Sequence, residues 1–174
     1  MWAIIVSVIA GGVASSVERP EASQRTWDNS YLKMMMNRIR ILIADDHALV
    51  REGVRAILAN QSDMEIVAMA ENGAEAVELA RSVNPDVVVM DISMPKMDGI
   101  HATEQIKKEG NLANVIILSM HVNAALIQQA IRMGAKGYVL KGSATEELPK
   151  AVRTAHQGIL FLSSTIPPGF LPRS

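Results

Sequence analysis

The sequence contains no cysteine, which excludes disulfides, thiolate catalysis and cysteine-ligated metal ions. Aromatic residues make up only 3% of the chain, so a core must be built from the aliphatic side chains that dominate its 49% hydrophobic content. Neither sign of charge is in excess, because 17 basic and 18 acidic residues give a net charge of -1. Such a chain has no global attraction for nucleic acid or an anionic membrane. Because cysteine is absent, any metal ion must be bound through oxygen or histidine ligands. The absence of cysteine also fits a reducing compartment, so we expect a cytoplasmic location.

The N-terminal region differs from the rest of the chain. The apolar run at residues 2–14 is too short to cross a bilayer as a helix. A secretory signal is disfavoured because the first basic residue is Arg19. Residues 15–31 are polar and without period. We therefore expect residues 1–36 to be a disordered or non-native extension, with no membrane association.

Between residues 38 and 158, short apolar runs alternate with amphipathic segments. Runs of branched aliphatic residues predict five buried strands, at residues 39–44, 64–69, 86–90, 115–118 and 136–140. Apolar residues spaced by three and four predict helices at about residues 49–60, 74–84, 100–108, 124–133 and 146–156. Parallel strands need crossover helices, so the alternation predicts an α/β fold. It would be a doubly wound, five-stranded parallel sheet in the flavodoxin-like order 2-1-3-4-5, with helices on both faces.

Local patterns add detail to two of the helices. The first has an apolar face and an opposite face that carries Arg51, Glu52 and Arg55. Asp98 is expected to begin the third helix, because aspartate is a preferred N-cap. The four histidines are not grouped at ligand spacings, and we predict no chemistry for them; they are His47, His101, His121 and His156.

Acidic residues stand at the ends of two predicted strands. Asp45 and Asp46 follow the first strand, and Asp91 follows the third. In the flavodoxin-like order these strands are neighbours, and the binding site lies beyond their carboxyl ends. Three carboxylates in one place raise one another's pKa unless a cation lies among them, and oxygen ligands of this kind suit Mg²⁺. The sequence therefore predicts a Mg²⁺ site at this edge of the sheet.

Two further polar residues follow strands at the same edge. Ser119 comes after the fourth strand and Lys141 after the fifth. With Mg²⁺, this hydroxyl and this ammonium would neutralise the oxygens of a phosphoryl group. Asp91 is the natural nucleophile, and its attack on phosphorus would give an acyl phosphate.

These residues resemble a known family, the receiver domains of response regulators in bacterial two-component systems. The resemblance covers nearly all of residues 38–158, and residues 45–53 are most similar to the LuxR-type (NarL/FixJ-like) subfamily, whose output is a helix-turn-helix DNA-binding domain. The matching features are Asp45-Asp46, the loop at residues 91–99, Ser119, Gly137-Tyr138 and Lys141.

The resemblance implies a role for each matched residue. Asp91 would accept a phosphoryl group from a sensor histidine kinase, and Lys141 would bridge to that group. Ser119 and Tyr138 would form a switch pair that reshapes the surface around the fourth and fifth helices. Mg²⁺ would be held by Asp45 (mainly through water), Asp46, Asp91 and the backbone carbonyl of Ser93. The domain would thus be a phosphoacceptor that regulates transcription through phosphorelay signalling, and not an enzyme.

The chain departs from the family pattern in two respects. Gly142 stands where many members have proline. Residues 159–174 are too few for a helix-turn-helix, so we interpret residues 37–158 as the receiver and the remainder as a linker remnant without an output domain. We accordingly expect no direct DNA binding by this chain. A homodimer is compatible with the resemblance, but no residue pattern decides it.

Two alternative functions are left open. A phosphotransferase of the haloacid dehalogenase type also forms a phosphoaspartate beside Mg²⁺, but it needs a second aspartate two residues after the nucleophile, where this chain has Ser93. A receiver-like interaction module that is not phosphorylated would be expected to lose an acid or the lysine. None of these residues is lost here.

Overall fold

The computed structural model of the chain describes residues 38–170. The predicted extension at residues 1–36 lies outside the described residues, as do residues 171–174 of the predicted linker remnant. Within residues 38–170, no helix is long and apolar enough to cross a membrane.

Six parallel strands form one sheet in the order β2-β1-β3-β4-β5-β6. The strands are β1 (Ile39–Ala44), β2 (Met64–Ala70), β3 (Val87–Asp91), β4 (Asn114–Ser119), β5 (Ala135–Leu140) and β6 (Phe161–Leu162). The helices are α1 (Ala48–Ala59), α2 (Gly73–Val83), α3 (Gly99–Lys108), α4 (Ala124–Arg132) and α5 (Ala144–His156). The predicted fold class is confirmed, and β6 adds one strand to the predicted five.

The strands bury both of their faces because successive side chains point to opposite sides of the sheet. Ile41 and Ile43 of β1 belong to a fully buried cluster on one face, whereas Leu42 and Ala44 belong to a second cluster on the other. Helices α1 and α5 cover the first face with Val54, Leu58, Leu148 and Val152. Helices α2, α3 and α4 cover the second with Ala76, Val77, Ile100 and Ile127. Each buried branched side chain contributes about 1.5–3 kcal/mol, which makes these two layers the main source of stability.

Side-chain caps fix where three helices begin. Asn72, Asp98 and Asn123 occupy the N-cap positions of α2, α3 and α4, and each accepts backbone hydrogen bonds. Asp98 Oδ1 accepts from the N–H of Ile100 at 3.0 Å and of His101 at 2.9 Å, which confirms the predicted cap. Each cap of this kind stabilises a helix by about 1 kcal/mol. The caps hold the start of each helix at the carboxyl edge of the sheet.

The loop between β3 and α3 packs directly against the end of its own strand. A Cβ added to Gly99 would lie 2.0 Å from the backbone oxygen of Asp91, and one added to Gly73 would lie 2.3 Å from the backbone oxygen of Met97. Only glycine permits backbones to approach so closely. Gly99 therefore holds the start of α3 against Asp91, and Gly73 holds the start of α2 against the loop at Met97.

Candidate functional site

The three predicted acids meet at the carboxyl edge of the sheet. Asp45 and Asp46 directly follow β1, and Asp91 is the last residue of the adjacent β3. Ala44 pairs with Met90 across these strands, so the next residue of each strand brings Asp45 beside Asp91. Asp45 is 1% exposed and Asp91 is 4% exposed. Two carboxylates are thus buried together at the edge of the sheet where the sequence places them.

A lysine ammonium lies between the two buried carboxylates. Lys141, directly after β5, places its Nζ 2.6 Å from Asp45 Oδ2 and 2.7 Å from Asp91 Oδ1. Burial disfavours the ammonium, but the hydrogen bonds and charges of Asp45 and Asp91 outweigh this effect and raise the pKa of Lys141 above its usual value. Lys141 therefore carries its positive charge at neutral pH and compensates the repulsion between the acids.

The remaining carboxylate oxygens differ in their hydrogen bonding. Asp45 Oδ1 accepts from the His47 N–H at 2.9 Å, and Asp91 Oδ2 accepts from the Ser93 N–H at 2.8 Å. Asp46 Oδ1 is buried and has no hydrogen-bond partner among residues 38–170. His47 Nδ1 lies 2.8 Å from this oxygen, although the contact does not have the geometry of a hydrogen bond. One oxygen of the site is therefore left for another ligand.

The donor set fits a divalent cation. Ligand atoms of Asp45, Asp46 and His47 lie within 4.8 Å of one another. A buried carboxylate oxygen without a donor is unfavourable, and a hard cation compensates it. Carboxylate oxygens suit Mg²⁺ better than a soft metal. The residues present thus fit the ion expected from the sequence.

The two residues of the predicted switch pair share one acceptor. Ser119, the last residue of β4, donates through Oγ to the backbone oxygen of His121 at 3.1 Å and accepts from the His121 N–H at 3.1 Å. The hydroxyl of Tyr138 donates to the same oxygen at 3.2 Å. Burial raises the pKa of Tyr138 above its usual value. Ser119 and Tyr138 are therefore connected through the loop that follows β4.

The sequence interpretation missed the role of Arg51. It placed Arg51 on the charged face of α1 with Arg55, yet the side chain of Arg51 is only 12% exposed, against 48% for Arg55. The guanidinium of Arg51 donates to the backbone oxygen of Asp45 at 2.8 Å and to Glu71 Oε1 at 2.7 Å. Helical side chains lean toward the N-terminus of their helix, so an arginine in the first turn after Asp45 and Asp46 was a usable signal.

Comparison with known proteins identifies the family. Residues 41–153 match the response regulator receiver domain family. The chain belongs to that family. Among its relatives, the transcriptional regulatory protein DegU of Brevibacillus brevis is 43% identical over 122 residues, which are 70% of this chain and 52% of DegU. The oxygen regulatory protein NreC of Staphylococcus haemolyticus is 43% identical over 121 residues, which are 69% of this chain and 56% of NreC. The chain thus spans about half the length of the relatives it matches.

Solved receiver structures have the same fold. A two-component response regulator of the LuxR family from Aurantimonas sp. SI85-9A1 aligns with a TM-score of 0.71 at 37% identity, covering 74% of this chain and 92% of that one. The isolated receiver domain of RcsB from Salmonella enterica serovar Typhimurium, in the presence of phosphomimetic BeF3-, aligns with a TM-score of 0.70 at 28% identity. That alignment covers 78% of this chain and all of the other. The resemblance to LuxR-type response regulators is confirmed.

Proposed function

We propose that this receiver domain accepts a phosphoryl group on Asp91 from a sensor histidine kinase, in a Mg²⁺-dependent reaction that regulates transcription. The observation that carries the proposal is the ammonium of Lys141, held 2.6 Å from Asp45 and 2.7 Å from Asp91. Residues 37–158 would form the phosphoacceptor unit.

The proposed transfer is a displacement at phosphorus. A carboxylate oxygen of Asp91 forms a new bond to phosphorus, and the bond from phosphorus to the donor breaks with its electron pair going to the donor. A carboxylate nucleophile needs no general base at neutral pH. Lys141 contacts one phosphoryl oxygen, and the Ser119 hydroxyl donates to another. Mg²⁺ would supply further neutralisation of charge, held by Asp45, Asp46, Asp91 and the Ser93 backbone carbonyl.

The proposed switch uses the acceptor shared by Ser119 and Tyr138. When Ser119 donates to a phosphoryl oxygen, it gives up its donation to the backbone oxygen of His121. Tyr138 then bonds that oxygen without competition and follows the movement of the loop. The loop leads directly into α4 (Ala124–Arg132), so the surface of α4 would carry the signal.

The alternatives fit the site less well. A haloacid dehalogenase-type enzyme needs a carboxylic acid where this chain has Ser93, and Ser93 contributes only a backbone N–H to Asp91. A phosphoacceptor without that acid is suited to holding the phosphoryl group rather than to rapid turnover. A module that is not phosphorylated has no need for a buried lysine between two buried acids, since burying such charges is costly. The relatives are named as transcriptional regulators, which favours a regulatory role.

Intact mass after incubation with acetyl phosphate tests the proposal. The native chain is expected to gain one phosphoryl group only when Mg²⁺ is present, and Asp91→Asn is expected to gain none. Asp86→Asn is the matched control, because Asp86 lies next to the opposite end of β3 and can keep its bond to the Arg40 N–H. Phosphorylation that persists in Asp91→Asn, or that proceeds equally without Mg²⁺, would contradict the proposal.

A further inference from the structure

Arg51 connects three segments around the acidic site. It lies in the first turn of α1, and its guanidinium donates to the backbone oxygen of Asp45 at 2.8 Å. The second terminal nitrogen of the guanidinium donates to Glu71 Oε1 at 2.7 Å, and Glu71 directly follows β2. The N–H of Glu71 in turn donates to Glu75 on α2 at 2.8 Å. A planar guanidinium makes both bonds in a fixed direction, so it locks the loop after β1 against the end of β2.

The hydrogen bond from Arg51 to Asp45 restrains the orientation of one peptide unit. The backbone oxygen of Asp45 and the backbone nitrogen of Asp46 belong to the same rigid peptide unit. Fixing that oxygen therefore fixes the position of the Asp46 Cα, from which the side chain of Asp46 starts. Asp46 Oδ1 accepts no hydrogen bond among the described residues and contacts the His47 ring at 2.8 Å, so the backbone orientation contributes to the placement of this side chain.

If only its charge mattered, Arg51 would weaken the binding of a cation at the acidic site. A positive guanidinium near a cation site repels the cation, so removing it should tighten cation binding if electrostatics dominates. Glu71 neutralises part of this charge through its ion pair with Arg51 at 2.7 Å. The arrangement keeps the directional hydrogen bond to Asp45 while reducing the repulsion. This combination is expected for an arginine that acts through geometry.

We infer that Arg51 is a positioning residue for the divalent cation, acting through the Asp45–Asp46 peptide unit. The inference rests on the proposed Mg²⁺-dependent function and adds to it a residue outside the acids and the lysine. It predicts that loss of the two hydrogen bonds made by the Arg51 guanidinium weakens Mg²⁺ binding, although one positive charge near the site is removed. Mutation of a group that orients metal ligands typically weakens metal affinity by about 10–100-fold.

Calorimetric titration of Mg²⁺ into the full chain tests this inference. Arg51→Gln is expected to raise the Kd for Mg²⁺ about tenfold, at the lower end of that range. Arg55→Gln is the matched control: Arg55 lies one turn further along α1 and pairs, half-exposed, with Glu52 of its own helix, so its Kd should equal that of the native chain. The initial rate of phosphorylation should need more Mg²⁺ in Arg51→Gln and approach the native rate at saturating Mg²⁺. If the substitution only destabilised the fold, saturating Mg²⁺ would not bring the rate back to the native value in this way.

Arg51→Lys separates geometry from charge and also serves if Arg51→Gln does not fold. Lysine keeps the positive charge, but it has no planar guanidinium that could donate to Asp45 and Glu71 in fixed directions at the same time. Positioning predicts a raised Kd, because the two directed hydrogen bonds are lost. Electrostatics alone predicts no change, because the charge is kept. A Kd for Arg51→Gln that is unchanged or lower in folded protein, or an unchanged Kd for Arg51→Lys, overturns the inference. Absence of Mg²⁺ binding by the native chain would instead contradict the proposed function, and this inference with it.

Discussion

The hydroxyl of Ser163 donates a hydrogen bond to Glu147, which joins the segment after α5 to α5 itself. The same hydroxyl accepts from the Leu140 N–H at 2.9 Å, and the Ser163 N–H donates to the Tyr138 backbone oxygen at 2.9 Å. Ser163 is only 1% exposed. Ser163 therefore holds the end of β5, which carries Tyr138 and is followed directly by Lys141.

Replacing Ser163 should destabilise the domain. Ser163→Ala leaves the part-buried Leu140 N–H without its acceptor and removes one donor from Glu147. A buried polar group left without a partner costs about 1–3 kcal/mol, and we expect the free energy of unfolding to fall by that amount. Urea denaturation followed by circular dichroism measures it. Ser164→Ala is the control: Ser164 is exposed, and its backbone N–H still bonds Glu147. Equal losses in the two variants would contradict this account.

The contribution of Glu147 should depend on pH. Burial opposes its charge, but hydrogen bonds from Ser163 and Ser164 outweigh burial and hold the pKa of Glu147 below its usual value. A carboxyl whose pKa is lowered by folding stabilises the folded state above its unfolded pKa of about 4.3, and this contribution is lost as the pH falls through the folded pKa. The difference in unfolding free energy between the native chain and Glu147→Gln should therefore be constant near neutral pH and shrink on acidification. A difference that does not change with pH would show that the carboxylate charge is irrelevant.

The acids and the lysine were predictable because topology alone brings them together. Asp45, Asp46, Asp91 and Lys141 follow strands that lie in one parallel sheet, and the strand order was correct for the five strands predicted. No knowledge of side-chain conformation was needed to place these residues at one edge. Asp98 was predictable for a different reason, because aspartate is a preferred N-cap and local sequence decides where a helix begins.

Contacts that depend on side-chain reach, or on very short elements, were not predictable. The two residues of β6 are too few to show a period, so the segment was interpreted as a linker, although Ile166 beyond it is buried in the core. Arg51 looked like any charged residue of a solvent-facing helix surface. The shared acceptor of Ser119 and Tyr138 is a backbone oxygen, which leaves no trace in residue identity.

The tight contact at Gly99 predicts a specific loss of function. In Gly99→Ala the new Cβ would meet the Asp91 backbone oxygen at 2.0 Å, so the phosphoacceptor or the start of α3 must move. We expect phosphorylation by acetyl phosphate to slow at least tenfold, which corresponds to about 1.4 kcal/mol in the activation free energy. Gly53→Ala is the control, because nothing lies within 4 Å of an added Cβ and Gly53 is inside α1. It should phosphorylate normally and be more stable by about 0.5–1 kcal/mol. Normal phosphorylation of Gly99→Ala would show that this contact does not position Asp91.

Removal of the buried ammonium should make the fold depend on Mg²⁺. In Lys141→Gln the carboxylates of Asp45 and Asp91, whose side chains are 1% and 6% exposed, repel each other without compensation. Breaking a buried ion pair in this way costs about 3–5 kcal/mol, and thermal unfolding without Mg²⁺ should show a correspondingly lower Tm. Added Mg²⁺ should raise the Tm of Lys141→Gln more than that of the native chain, because the more negative site binds the cation more tightly and ligand binding stabilises the folded state.

Two comparison variants make the effect of Lys141 specific. Adding Asp91→Asn to Lys141→Gln removes one of the repelling charges and should restore part of the lost stability, a non-additivity that a double-mutant cycle measures. Lys108→Gln removes an exposed lysine, paired with Glu104 on α3, and should change stability by no more than about 0.5 kcal/mol. If Asp91→Asn instead lowered the stability of Lys141→Gln further, mutual repulsion would not be the cause. The lysine would then act through packing rather than through its charge.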